Sequence, residues 1–260
     1  MKLIVFFFSI FISFTDYPCA EDISGKEIAQ KVIDYTNIDT SRMNMKMILI
    51  PTRGTRSERE MIIWSKDYGE GRRKNLIKFS FPLDVKDTGL LIWSYEEGND
   101  DQWLYLPALR RVRRISGSQQ DKSFVGSDLS YADMSSIYRE VEKDTHTLLD
   151  MDMIDGNECY VVESTPLDSK YQYSKYTRWI RKDNFVPVKI TAYDRKGKYV
   201  KLILGEDIAK IDGVWLARRT IVENIKSGHK TILEIDPEYN IDLSDELFIF
   251  SQLRYGIRFN

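Results

Sequence analysis

The sequence predicts a mainly β protein (α+β) built on one meandering antiparallel sheet, curled or nearly closed. Three observations lead there. From Met43 onward the apolar residues recur with a period of two. Turn signals such as Asp155-Gly156, Lys196-Gly197, Asp212-Gly213 and Ser227-Gly228 recur every ten to fifteen residues. Segments with helical spacing are few and short.

The N-terminus is set aside before the fold is read. Lys2 is the single charge ahead of the apolar run Leu3 to Phe14. Such a run suits the core of a secretory leader and is too short to span a membrane. Cleavage is expected near Ala20, giving a leader over 1–20 and one domain over 21–260. The alternative is a membrane anchor through lipid on Cys19, to which Asp16-Tyr17-Pro18 is a poor lead-in. The leader removes one Lys and one Asp, so the net charge stays at −2. That balance gives no electrostatic argument for nucleic-acid binding. Cys159 is then the lone cysteine, and its strand-like setting, ECYVVE, predicts a buried thiol, neither disulfide nor nucleophile.

In order, Ser24 and Glu27 form a capping-box pattern for a helix over 25–36, in which Ile28, Ala29, Val32, Ile33 and Tyr35 make one apolar stripe. Strands follow over 42–50, 58–66 and 74–81, with Gly69 to Gly71 as a turn. Met43, Met45, Met47 and Leu49 share one strand face. Methionines there suit a packed core, and also a surface that adapts to flexible acyl chains, because the thioether side chain changes shape cheaply. After a loop over 82–89 come strands over 90–95 and 103–106, which put Trp103 and Tyr105 on one face and Leu104 and Leu106 on the other. Pro107 breaks the run, and Arg111 to Ile115 continues it. A polar loop leads to Ser130-x-x-Asp133, the cap of a short helix to about Ile137. Hairpins then pair 140–150 with 158–165, 176–182 with 186–194, and 198–211 with 214–224, ending in a strand over 230–235. Residues 242–253 read as a short helix or edge segment.

Motifs for chemistry are missing. The two histidines, His146 and His229, lie far apart, read as exposed strand residues, and belong to no metal-ligand spacing. There is no phosphate-cradling glycine loop, and Gly126-Ser127-Asp128 lacks the second glycine of a nucleophile elbow. The carboxylate pairs fall in turns. No cofactor and no enzymatic activity are expected. Arg111 and Arg113 share a strand face while Arg114 takes the other. One face could pair with carboxylates across the sheet, and the other could meet an anionic headgroup.

The stretch WLYLPALRRVRRI (103–115), followed by SFVGSDLSY (123–131), resembles the signature of the LolA-like outer-membrane lipoprotein-sorting proteins, in their uncharacterised branch. GLLIW (89–93), Pro187-Val188-Lys189 and Tyr193-Asp194 agree, and the match runs over roughly 25–240. The resemblance implies an incomplete, strongly curved β-barrel whose opening is covered by the N-terminal helix and a mid-chain loop-helix. It implies an exported periplasmic carrier that shields lipoprotein acyl chains or related lipids, exchanging them with inner-membrane release and outer-membrane receptor proteins. The carrier is expected to be a monomer. On this reading Met43, Met45, Met47, Trp64, Trp93, Trp103 and Tyr105 are candidates for the cavity wall. The gate is expected over Phe124, Gly126, Ser127, Asp128 and Tyr131, with Pro107, Arg110, Arg111 and Arg114 nearby. Phe124→Ala and Tyr131→Ala should then alter ligand exchange more than stability. An envelope sensor that binds a protein on the same curved sheet is the alternative.

Overall fold

Two meanders of strands meet along one shared ladder in the computed structural model, which describes residues 23–36, 38–136 and 139–255. The expected leader, its cleavage site, Cys19 and the predicted helix end at Ile137 lie outside these residues. The first meander holds β1 (Thr40–Ile50), β2 (Ser57–Asp67), β3 (Arg73–Phe81), β4 (Gly89–Ser94), β5 (Asp101–Leu106) and β6 (Arg111–Arg114). The second holds β7 (Asp144–Ile154), β8 (Asn157–Pro166), β9 (Tyr173–Arg181), β10 (Pro187–Asp194), β11 (Tyr199–Ile211), β12 (Val214–Asn224) and β13 (Lys230–Tyr239). Strand β1 pairs with β13, giving a single 13-stranded antiparallel sheet whose two edges are β6 and β7. Those edges do not pair with each other, so the barrel is incomplete. Between β6 and β7, residues 115–136 and 139–143 lie across the opening. They include the short helix α2 (Tyr131–Ser135).

The sheet curls around what it encloses. The N-terminal helix α1 (Gly25–Thr36) touches β7, β8 and β12, although β9, β10 and β11 separate the last two. Its expected capping box is present: the Ser24 N–H donates to Glu27 Oε2 at 2.8 Å and the Glu27 N–H to Ser24 Oγ at 3.2 Å. Ile28 and Val32 pack on Val162 and Ile180. The helix lies so close to β7 that a Cβ on Gly25 would come within 2.6 Å of the Leu148 backbone nitrogen.

Register separates the two faces. Met45 stands opposite Met61 and Ile235, Met61 opposite Phe79, Ile77 opposite Leu90, and Leu90 opposite Leu104. This row is the inner face of the first meander, and it forms one buried cluster with Phe124, Tyr131 and Met134 from the crossing segment. On the outer face Trp64, Leu76, Leu91 and Trp103 are successive cross-strand partners. A C-terminal strap covers them, made of a 3-10 turn at Asp245–Phe248 and helix α3 (Phe250–Arg254). This settles residues 242–253 as a strap over the outside of the sheet.

Several strand boundaries differ from expectation: β7 ends at Ile154, not Asp150, and β9 begins at Tyr173, not Tyr176. Strand β7 begins at Asp144, not Glu140, because Val141–Lys143 form a 3-10 turn whose Val141 carbonyl meets His146 Nε2 at 3.0 Å. Strand β13 runs through Pro237 to Tyr239. Its pairing with β12 ends at Glu234, so at Pro237 β1 is its one strand neighbour and a missing N–H is tolerated there.

Candidate ligand-binding concavity and its cover

On the inner face an unbroken apolar row, Met43, Ile63, Ile77, Leu90 and Leu104, crosses from β1 to β5, with Arg59, Gln102 and Thr231 as polar positions around it. Alternation produces it: every second residue of each strand points inward, and most of those residues near the middle of the strands are Met, Leu, Ile and Phe. Phe124 to Met134 of the crossing segment lie on this face. Phe124 is fully buried, with its ring centroid 5.7 Å from that of Phe79 and 5.8 Å from that of Tyr131. Val125, Leu129 and Met134 add to the contact. Burying one such aromatic side chain contributes on the order of 2–3 kcal/mol.

The tip of the cover is a tight turn. The Phe124 N–H donates to the Leu129 carbonyl at 2.7 Å, and the Ser127 N–H to the Phe124 carbonyl at 3.0 Å. Ser127 Oγ also donates to Phe124 O at 2.8 Å. Val125 and Gly126 both take positive φ, 47° and 76°. Glycine adopts this region freely, whereas a β-branched valine is strained there by about 1–2 kcal/mol. Beneath the tip a Cβ on Gly126 would sit 3.7 Å from the guanidinium nitrogens of Arg59. Burial pulls the Arg59 pKa down, and its Nη1 has no hydrogen-bond partner among the described residues.

Polar side chains from both meanders hold the cover in place. Asp128 Oδ2 lies 2.5 Å from His229 Nδ1 and accepts from Thr231 Oγ1 at 2.7 Å, and its own N–H donates to Thr231 Oγ1 at 2.9 Å. Asp133 completes the predicted capping box with Ser130. Its Oδ1 accepts from Gln172 Nε2 and Tyr173 Oη, both at 2.9 Å, and its Oδ2 pairs with Lys201. Burial raises the Tyr173 pKa well above its usual value, and the Asp133 charge adds to that rise. Gln102, fully buried on β5, donates to the Tyr131 carbonyl at 3.0 Å and to Ser135 Oγ. One segment thus contacts β5, β9, β11 and β13, which requires the sheet to be curved around it.

Of the cavity candidates, Met43, Met45 and Met47 lie on the inner face under the cover. Trp64, Trp93, Trp103 and Tyr105 lie on the opposite face. There Trp93 Nε1 donates to the Phe248 carbonyl at 3.2 Å, and Phe250 sits edge-on to Trp103 at 4.7 Å. Of the gate candidates, Phe124, Gly126, Ser127, Asp128 and Tyr131 all belong to the cover. Pro107 opens a 3-10 turn between β5 and β6. Arg110 and Arg111 are exposed at the β6 edge and Arg114 pairs with Asp101; none of the three hydrogen-bonds to 116–136 among the described residues. Arg113, opposite Leu104 on β5, partly offsets the rise that burial imposes on the Tyr131 pKa.

Both histidines depart from expectation. His229 secures the cover, and His146 is held between Ser164 Oγ at 2.8 Å and the Val141 carbonyl. Cys159 is buried, and desolvation raises its pKa. Sequence reasoning missed Lys201, Tyr173, Gln172, Thr231 and Gln102, which look ordinary in their own strands. The available signal was in the cover: two aspartates inside FVGSDLSYADM (124–134) need buried partners from elsewhere. Beside the cover, between the β4–β5 turn and the loop before β9, a cavity of about 1010 Å³ opens, lined by Ser94, Asp100, Gln102, Arg139, Tyr171 and others. Burial raises the Asp100 pKa and takes the Tyr171 hydroxyl to about 12.

A family model described as an uncharacterized protein matches residues 71–255. A DUF1329 family protein from Desulfovibrio piger is 34% identical, with 88% of this chain and 97% of that one covered and a TM-score of 0.84. The chain belongs to the DUF1329 family. A second structure similar to this DUF1329 protein is described as an outer membrane lipoprotein-sorting protein domain, from Vibrio parahaemolyticus. It is 33% identical over 89% of this chain and 98% of that one, with a TM-score of 0.83. A LolA superfamily protein from Nitrosomonas europaea, at 22% identity, covers 88% of this chain and 99% of its own with a TM-score of 0.71, a likeness of fold. The DUF1329 chain is therefore LolA-like in architecture, as the motif at 103–131 implies. Among curated proteins, none matches its sequence.

Proposed function

We propose that this DUF1329 protein is an exported, non-enzymatic carrier that binds lipoprotein acyl chains or related lipids in its concavity. It works in the periplasm, after removal of its leader near Ala20, in the sorting of outer-membrane lipoproteins. One observation carries the reading. The apolar inner row from Met43 to Leu104 is closed by a crossing segment that is no part of the sheet and is fixed to it through polar side chains. Such a cover can leave without breaking a strand ladder. An acyl chain can then refill the surface, each buried methylene contributing about 0.8 kcal/mol. The similarity to a protein described as lipoprotein-sorting supports the cargo class. Exchange partners are an inner-membrane release protein and an outer-membrane receptor, with the carrier a monomer.

The test is gentle purification from the envelope fraction, then native mass spectrometry and lipid extraction. Co-purifying lipid or acylated protein, released when the cover is loosened by substitution at Asp133, is the expected result. A ligand-free protein that takes up neither fatty acid nor lipoprotein sinks the carrier reading. A stable protein partner captured without lipid would favour the envelope sensor.

A further inference from the structure

Strand β6 is the free edge of the first meander, and it is strongly cationic. Arg110, Arg111, Arg113 and Arg114 are all exposed. Arg114 pairs with Asp101, whereas Arg110, Arg111 and Arg113 make no ion pair among the described residues. Like charges this close repel, so the cluster gains nothing from the fold itself.

Apolar groups interleave with these charges. Leu109, next to Arg110, is 56% exposed. Behind the edge, Val112 faces Phe250, Arg254 and Tyr255 across a hollow of about 410 Å³. Phe250 is 44% and Tyr255 68% exposed, although Phe250 has Trp93 and Trp103 beside it. The edge thus carries unpaired guanidinium groups, Arg111 and Arg113, on its inner side and solvated aromatics, Phe250 and Tyr255, on its outer side, and set edge-on it matches the boundary of a lipid layer. There arginine meets phosphate while rings and leucine enter the acyl margin. At four residues, β6 is too short to template an added strand.

We infer that the β6 edge and helix α3 form a docking surface for an anionic membrane. It stands whether or not the concavity carries acyl chains. Docking there sets the opening against the bilayer, because the crossing segment leaves directly from Arg114 and Arg113 stands opposite Leu104, which packs in the cluster that holds Tyr131.

Vesicle flotation of the full mature chain tests this. Vesicles of phosphatidylcholine with phosphatidylglycerol should bind the protein, phosphatidylcholine alone should not, and added salt should release it. Arg110→Glu, Arg111→Glu and Arg113→Glu combined, all at solvated positions, should weaken binding by about 100-fold, at roughly fivefold per arginine. The corresponding three Arg→Lys changes should retain it. Unchanged flotation of the glutamate variant, or equal binding to neutral vesicles, overturns the inference. So does a soluble polyglutamate peptide that binds as tightly as the anionic vesicles.

Discussion

Asp133 and Lys201 form an ion pair across the mouth of the sheet, 68 residues apart in sequence, each side chain 9% exposed. The pair fastens α2, which leaves the first meander, to β11 of the second. Removing one partner strands the other charge in a site nearly without water. Asp133→Ala should therefore cost about 3–5 kcal/mol in urea unfolding, plus about 1 kcal/mol for the lost helix cap. Adding Lys201→Met should recover part of this. A double variant less stable than Asp133→Ala alone would show that Lys201 draws its stability from elsewhere.

Phe124 is fully buried, so Phe124→Ala should affect stability as well as exchange. The expected loss is about 3–5 kcal/mol. If the cover opens as a unit, that loss appears in hydrogen exchange at 116–135 while the strand amides stay protected. Uniform loss of protection across β1 to β5 would mean that the cover and sheet unfold together.

The two faces of the first meander separate binding from packing. Met43→Asp and Met45→Asp place charges on the inner face and should reduce uptake of a fluorescent fatty acid at least about tenfold, since a buried unpaired charge costs several kcal/mol. Trp93→Ala and Trp103→Ala act on the outer face. They should expose the C-terminal strap to limited proteolysis and leave uptake unchanged. Uptake lost in the tryptophan variants alone would place the ligand outside the sheet.

Lys78 ties down the same strap, its Nζ donating to the Leu253 carbonyl at 2.6 Å. Desolvation lowers its pKa from 10.5 to about 8. Between these values the unfolded chain binds more protons than the folded one, so this group makes stability rise with pH across that window. Below pH 8 the buried charge carries its full penalty, up to about 3 kcal/mol. Unfolding curves from pH 7 to 10.5 should show the rise in the wild type and lose it in Lys78→Met. Parallel curves would disprove the burial effect.

Gly25 is required by space, since a methyl there would press on the β7 backbone. Gly25→Ala should displace α1 and destabilise the protein by about 1–3 kcal/mol in thermal melts. An unchanged melt would mean that the helix shifts at no cost.

Much of the fold was legible because its causes are local. The capping boxes at Ser24 and Ser130 formed as their spacing requires. The glycine turns closed the expected hairpins, and alternation in β1 put Met43, Met45 and Met47 on one face. The candidate site was less legible. Trp64, Trp93 and Trp103 suited a cavity wall by size and polarity, yet they pack beneath a strap that begins some 140 residues after Trp103 in the chain. Asp128 was expected in the gate, but its partners His229 and Thr231 looked like solvated strand residues.

By itself, the sequence determined that the chain is a curled meander of hairpins, with a distinctive segment between Trp103 and Tyr131. Period, turn chemistry and caps act over a few residues and are written into neighbouring positions. Only the tertiary structure decided which sheet face is inner and that β6 and β7 remain apart. It alone shows that the segment over 115–136 closes over the opening through Asp128 and Asp133. Alternation defines two faces without saying which is enclosed. That choice comes from the direction of curl and from distant segments competing to cover apolar surface, and both depend on contacts between residues far apart in the chain.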